Sequence, residues 1–375
     1  MSRSASTGSS FPAQPAEPAA SKNPPPAQPA EPAASKNPPP AQPAEPAASG
    51  HPPPAQPAEP AASGLRRLAL GTAVATFALI IVGGVVRVSD SGLGCGPAGS
   101  GFHGWPFCNG DVAPGVDLNS IIEYTHRVLA IVVGLMILTL FVQAVRRYRS
   151  LLGVTGALLV LVAAQGALGG ATVEENLEEP YVAAHLGLAM ILLGLLIYVV
   201  RTTRGTEPVE GGPRLRGLAI LATGAVLCTV VAGGYMAGTQ NYGRADYQLG
   251  DGAHHACGKE FPTCNGDFMP FGQARLVDIH LTHRLFMYVA SILVIALVVV
   301  ALRRRVAVRY ARGLAALLAV QILVGALNVW LEEYELLILA HLALGTLLWA
   351  TCLGMTLQLS PARDRSPRRR KAVAA

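Results

Sequence analysis

The segment IIEYTHRVLAIVVGLMILTLFV, residues 121–142, decides the fold. Beyond Arg127 it runs to Val142 without a charged side chain. A bilayer core of ~30 Å is crossed by about 20 apolar residues in a helix, so Ile121–Val142 reads as a transmembrane helix with His126 close to one end. Seven further segments of the same kind lie around it: Leu68–Val86, Leu151–Val173, Tyr181–Val200, Leu215–Ala237, Ile279–Leu302, Gly313–Trp330 and Leu336–Leu357. The chain is 51% apolar and only 14% charged, and aliphatic runs of this length exceed what a soluble core uses. The expected fold is an all-α integral membrane protein of eight transmembrane helices.

Charge supplies the topology. The net charge of +6 would suit a nucleic-acid partner if the basic residues covered a face, but they sit in alternate loops. Arg66 and Arg67 precede the first segment; Arg146, Arg147 and Arg149 follow the second; Arg201, Arg204, Arg214 and Arg216 follow the fourth; Arg303, Arg304, Arg305, Arg309 and Arg312 follow the sixth. The opposite loops carry Glu174, Glu175, Glu178 and Glu179, then Glu332, Glu333 and Glu335. The positive-inside rule places both termini in the cytoplasm. The basic charge reports orientation in a lipid bilayer, and no nucleic-acid partner is expected. Without an organellar transit pattern, the Gly/Ala/Arg-rich chain points to a bacterial plasma membrane.

Residues 1–64 are a separate segment, in which a Pro/Ala-rich 14-residue unit starting at Ala13 recurs at Ala27 and, altered, at Ala41. With almost nothing larger than Ala or Pro to bury, it cannot offset its ordering entropy and is expected to be a disordered tail. Residues 359–375 form a basic cytoplasmic tail.

The membrane part is an internal duplication. ProPheCysAsnGlyAsp at 106–111 returns as ProThrCysAsnGlyAsp at 262–267, and GlyGly at 83–84 returns at 233–234. Gln165 precedes His185 by the same 20 residues that separate Gln321 from His341. Each half, 65–205 and 206–358, carries four segments and starts on the cytoplasmic side, so the halves are parallel repeats and two pseudo-symmetric four-helix bundles are expected.

Four histidines repeat with the halves. His126 and His185 are 59 residues apart, His283 and His341 58 apart, each about five residues into an even-numbered segment entered from the outside. A histidine inside a membrane span is by default a functional-site hypothesis. A zinc site usually needs three or four protein ligands, and no carboxylate or Cys sits at matching depth in both halves. Haem iron needs two axial ligands, and imidazole is a common one. The Gly- and Ala-rich runs from Gln165 and from Gly325 would let a flat ring approach the backbone. Hydrogen bonding between helices accounts for any one such histidine, but poorly for four at duplicated positions.

Arg127 and Arg284 each follow a histidine and could pair with outward-facing propionates or snorkel to headgroups. Glu123 lies one turn before His126 on the same face, where the second half has His280. A carboxylate beside one of two otherwise equivalent sites points to chemistry there, against the alternative of a carboxylate favoured by a helix N-terminus. Cys95 and Cys108 share the first outer loop and Cys257 and Cys264 the third, facing an oxidising compartment where disulfides persist. The first pair is either a structural or a redox-active bridge. Cys228 and Cys352 are expected to be inert within the membrane, and His103, His254 and His255 to face solvent.

This pattern resembles the haem A synthase family. The likeness is carried by GluTyrThrHisArg at 123–127, LeuThrHisArg at 281–284, His185, His341 and the paired loop cysteines, and it spans about Leu65 to Leu357. It implies oxidation of the C8 methyl of haem O to a formyl group, giving haem A for cytochrome oxidase. It further implies a haem b cofactor on His283 and His341, the substrate haem on His126 and His185, and Glu123 as the catalytic carboxylate. Cys95 and Cys108 would receive electrons, and an electron donor or acceptor in the membrane and haem O synthase are candidate partners. The first loop departs from the family by being longer between its cysteines.

With both haems held by two histidines, no open iron position is left for oxygen. Either one substrate-site histidine leaves, or water attacks the oxidised methyl with Glu123 as base or cation stabiliser. The rival readings are a bis-histidine cytochrome b that carries electrons without modifying haem, and a haem-handling assembly factor. Neither gives Glu123 a task.

Overall fold

A computed structural model describes residues 59–204, 209, 213–239, 252–331 and 335–359. Most of the Pro/Ala-rich tail, the basic C-terminal tail, Glu332, Glu333 and the stretch 240–251 lie outside the described residues. Among the described residues, eight helices are long and apolar enough to cross a membrane: α1 Glu59–Val88, α2 Leu118–Arg146, α3 Leu152–Glu174, α4 Glu179–Arg204, α5 Pro213–Gly238, α6 Arg275–Arg303, α7 Val308–Trp330 and α8 Glu335–Gln358. The all-α membrane fold therefore stands. No strand occurs among the described residues beyond single bridges at Cys108–Asp111 and Cys264–Asp267.

The helices outrun their apolar windows. α1 begins at Glu59, so residues 59–64, expected in the tail, are helical; Pro60 sits in the first turn, where its missing N–H costs nothing, and alanines follow. α2 begins at Leu118 because Asp117 caps it, its carboxylate accepting the Ser120 N–H at 2.9 Å. That bond holds the Asp117 carboxyl below its ordinary value. The key histidines consequently lie deeper than the apolar windows suggest: eight residues into α2 and α6, and six into α4 and α8. At 1.5 Å per residue these are depths of about 12 and 9 Å, still matched between the halves.

Within α1–α4 each helix packs on the next and α4 returns to α1; α5–α8 close in the same way. The seam between the sets is made by α4 with α5 and by α8 with α1 and α4. One apolar core runs through both sets, from Ala69 and Ala73 on α1 through Met190 and Leu196 on α4 to Leu297 on α6 and Met355 on α8. Val128, Ile131, Val132, Leu135 and Leu138 of α2 face outward instead, as a hydrocarbon solvent favours. Many threonine hydroxyls within the spans bond back to their own helix, as Thr72 Oγ1 does to Leu68 O at 2.8 Å.

The seam is close. A Cβ on Gly84 would lie 2.8 Å from Leu342 and 3.0 Å from Leu339 of α8; one on Gly234 would lie 2.9 Å from Leu186 of α4. Trp349 of α8 fills the space over Gly194 of α4, and the Arg87 guanidinium donates to Ala237 O at 2.7 Å.

Candidate functional site

Each of the four histidines lays its ring edge on a glycine of the preceding helix. A Cβ at Gly83 would lie 3.1 Å from His126 Cε1, at Gly169 3.2 Å from His185 Cε1, at Gly233 3.1 Å from His283 Cε1, and at Gly325 2.8 Å from His341 Cε1. The duplicated GlyGly pair thus has two tasks: its first glycine admits a histidine and its second admits the seam. Adjacent helical positions differ by about 100° in direction, which is why one dipeptide serves both faces. The glycines were visible in the sequence, but which partner each would meet was not.

His126 and His185 are close enough to interact electrostatically, and so are His283 and His341. The fold brings together the two pairs expected from spacing. All four rings are only partly covered by protein. The Nδ1 atoms of His126, His185 and His341 are buried without a partner, whereas His283 Nδ1 lies 3.1 Å from Thr229 O. Among the described residues no group of three or more His, Cys, Asp or Glu is placed to hold a metal ion on protein ligands alone. Paired imidazoles, each seated on a glycine, fit a haem, which asks the protein for two axial nitrogens.

Two glutamines join the pairs. Gln165 Nε2 donates to His185 O at 2.9 Å, and Gln321 Nε2 lies 3.2 Å from His341 Nε2. Their shared 20-residue spacing was the signal for a role in the site.

Glu123 is 4% exposed. One oxygen accepts the Cys95 N–H at 2.8 Å and the other is bonded by Arg127. Arg127 also donates to Gly104 O and Phe107 O, both at 2.7 Å. Cys95 is bridged to Cys108, and Cys257 to Cys264, so both expected disulfides form. In the second half Arg284, 3% exposed, donates to Glu260 O and Thr263 O at 2.8 Å and lies over the Phe261 ring. Both arginines fasten a disulfide loop to the helix that carries the histidine, alongside the propionate pairing expected of them. The carbonyls they bind belong to loops whose course the sequence does not reveal.

The residue equivalent to Glu123 behaves differently: His280 is buried, its Nδ1 2.7 Å from Ala253 O. The turn at Ala253 is drawn down further because Ala253 N–H donates to Thr239 Oγ1 at 2.8 Å. This turn corrects one expectation. His254 does not face solvent; it is carried in beside His280 and His283, and burial, with those neighbours, holds its pKa well below the ordinary value. His103 is exposed, as expected, while His255 is half-buried. Trp105, from the first disulfide loop, packs against Gly170 of α3, where a Cβ would lie 2.9 Å from its indole. Of the remaining cysteines, Cys352 is buried and Cys228 exposed on the surface of its helix.

Residues 66–353 match the model of the cytochrome oxidase assembly protein family. The chain belongs to this family. Among its relatives, the heme A synthase of Halalkalibacterium halodurans is 30% identical over 246 residues, covering 62% of this chain and 72% of the relative. The heme A synthase of Symbiobacterium thermophilum is 30% identical over 288 residues, or 70% of this chain and 85% of the relative. That of Alkalihalophilus pseudofirmus is 27% identical over 246 residues. With eight helices among the described residues long and apolar enough to cross a membrane, this family member is a multi-pass membrane protein.

Proposed function

We propose that the chain is a membrane enzyme of haem A formation, oxidising the C8 methyl of haem O to a formyl group for use in cytochrome oxidase. The observation that carries this is the set of four histidine-on-glycine contacts, arranged as two pairs in a chain whose relatives are heme A synthases. An electron-carrying cytochrome b would use the same pairs but fits these relatives less well.

His126 and His185 hold the substrate haem, and His283 and His341 hold a resident haem b. When bound, a haem held by two imidazoles supplies one-electron redox chemistry. The protein's own part is to orient the substrate and to handle protons. Glu123 is the carboxylate nearest the substrate histidine in sequence, three residues before His126. Both of its oxygens are engaged, by the Cys95 N–H and by Arg127. It can take a proton from the reacting carbon, or stabilise positive charge there, once one of those bonds opens. Because Cys95 is half of a disulfide, the position of Glu123 and the covalent state of the loop are linked. Arg127 and Arg284 would pair with the haem propionates. The two helix sets correspond to two pseudo-symmetric bundles in a bacterial plasma membrane, with both termini cytoplasmic. An electron partner in the membrane, and haem O synthase as donor of the substrate, complete the scheme.

The test is extraction and mass analysis of haem from membranes containing the protein and supplied with haem O, wild type beside Glu123→Ala. Haem A or its hydroxylated precursor in wild type only is the expected result. Unmodified haem in both, in a preparation that still binds and reduces haem, would leave an electron carrier.

A further inference from the structure

The four histidines are alike in ring placement but not in hydrogen bonding. In every case Cε1 is the ring atom closest to the glycine position, and Nδ1 lies next, at 3.4 to 3.8 Å. Only His283 Nδ1 has a partner, Thr229 O. Thr229 stands four residues before Gly233, so its carbonyl accepts the helical N–H of that glycine. A side chain at 233 would cover this oxygen from the side; without one, the oxygen is open to a second donor. The carbonyls in the equivalent place are those of Leu79 before Gly83, Gln165 before Gly169, and Gln321 before Gly325. All three helices are continuous there.

We propose that Gly233 is a positioning residue, opening the Thr229 carbonyl one turn earlier as the acceptor for the His283 Nδ1–H. Resting on the haem-ligand reading above, this assigns the tautomer. The proton lies on Nδ1, and the Nε2 lone pair is left for iron. The arrangement also separates the two sites. One ligand of the second pair already holds its bond, while neither ligand of the first pair does.

A bonded Nδ1–H makes an imidazole a more basic ligand and favours ferric iron; loss of such an outer-shell partner typically costs 10–100-fold in metal affinity. Gly233→Ala requires His283 to move by a few tenths of an ångström. The full-length, haem-loaded protein should then retain its haem about 10–100-fold less tightly on dilution into apomyoglobin. Its midpoint potential should rise, by about 59 mV for each tenfold loss of ferric preference. Gly234→Ala, one residue on but facing Leu186, should leave the potential unchanged. His283→Ala tests the underlying reading separately. If the haem spectrum survives that change, the ligand assignment fails and the proposal with it. If His283→Ala abolishes the spectrum while Gly233→Ala leaves retention and potential at wild-type values, the ligand assignment stands and the positioning role is overturned. Wild-type protein gives a check that needs no variant: electron–nuclear double resonance of the ferric haem should show an axial Nδ1 proton that exchanges slowly with deuterium. Rapid exchange would overturn the bond directly.

Discussion

Arg127→Ala should unfasten the first disulfide loop and strand a buried carboxylate. The guanidinium makes two carbonyl bonds of 2.7 Å and pairs with Glu123, the side chains being 14% and 5% exposed. Bonds to a charged group are worth about 1.5–3 kcal/mol each, but the freed Phe107 carbonyl lies near solvent and recovers part of that. Breaking a buried pair by removing one partner costs about 3–5 kcal/mol, and that range is expected for the single variant. Glu123→Gln removes the charge but can still accept the Cys95 N–H. It should therefore relieve the stranded carboxylate, and the double variant should recover roughly 1–3 kcal/mol relative to additivity. Unfolding in mixed micelles, followed by circular dichroism over the four-variant cycle, gives the coupling directly. Limited proteolysis of residues 95–117 reports the loop on its own. Strict additivity, with the loop as protected in Arg127→Ala as in wild type, would refute the fastening role and leave propionate pairing as the account of this arginine.

Three further outcomes follow from other parts of the molecule. The Asp117 carboxyl is held below its ordinary value by the Ser120 N–H. Its capping bond should therefore persist at neutral pH and be lost only as pH falls through the lowered value; amide exchange at Ser120 should accelerate there, and not in Asp117→Ala, which lacks the bond at every pH. Opening the Cys95–Cys108 bridge, whose cysteines are 13 residues apart, should cost about 3 kcal/mol, and opening Cys257–Cys264, 7 apart, about 2.5 kcal/mol; stability of the two double-serine variants measures the order. Gly170→Ala should displace Trp105 from α3 and shift tryptophan emission to the red, whereas Gly166→Ala, with open space around its Cβ, should not.

Much of this molecule is legible from its chain because lipid imposes a simple rule. Backbone groups must be satisfied within the segment, so uninterrupted apolar runs such as 128–142 had to be helices. The repeat then fixed which histidines belong together. Helix starts were harder, since they are set by capping at Asp117 and by the tolerance of Pro60 in a first turn, neither of which hydropathy sees. The loops were harder still. Nothing in the spacing of Arg127 or Arg284 says that carbonyls of Phe107 and Thr263 will turn toward them. His254 looked solvent-facing because its burial depends on two contacts of its neighbour, Ala253 with Thr239 and with His280.

The seam at Gly84 and Gly234 bears on what holds the chain together as one object. Leu342 and Leu186 seat on these glycines, Trp349 over Gly194, Arg87 on Ala237 O, and Arg275 pairs with Glu179. Every one of these partners lies within a helix, so most of what holds α1–α4 to α5–α8 does not depend on a continuous chain between α4 and α5. That continuity adds an effective concentration, and Val209 between them adds a backbone bond to Gln358 O. Two separately translated pieces, inserted in the same membrane, would meet along a surface already largely cut to fit.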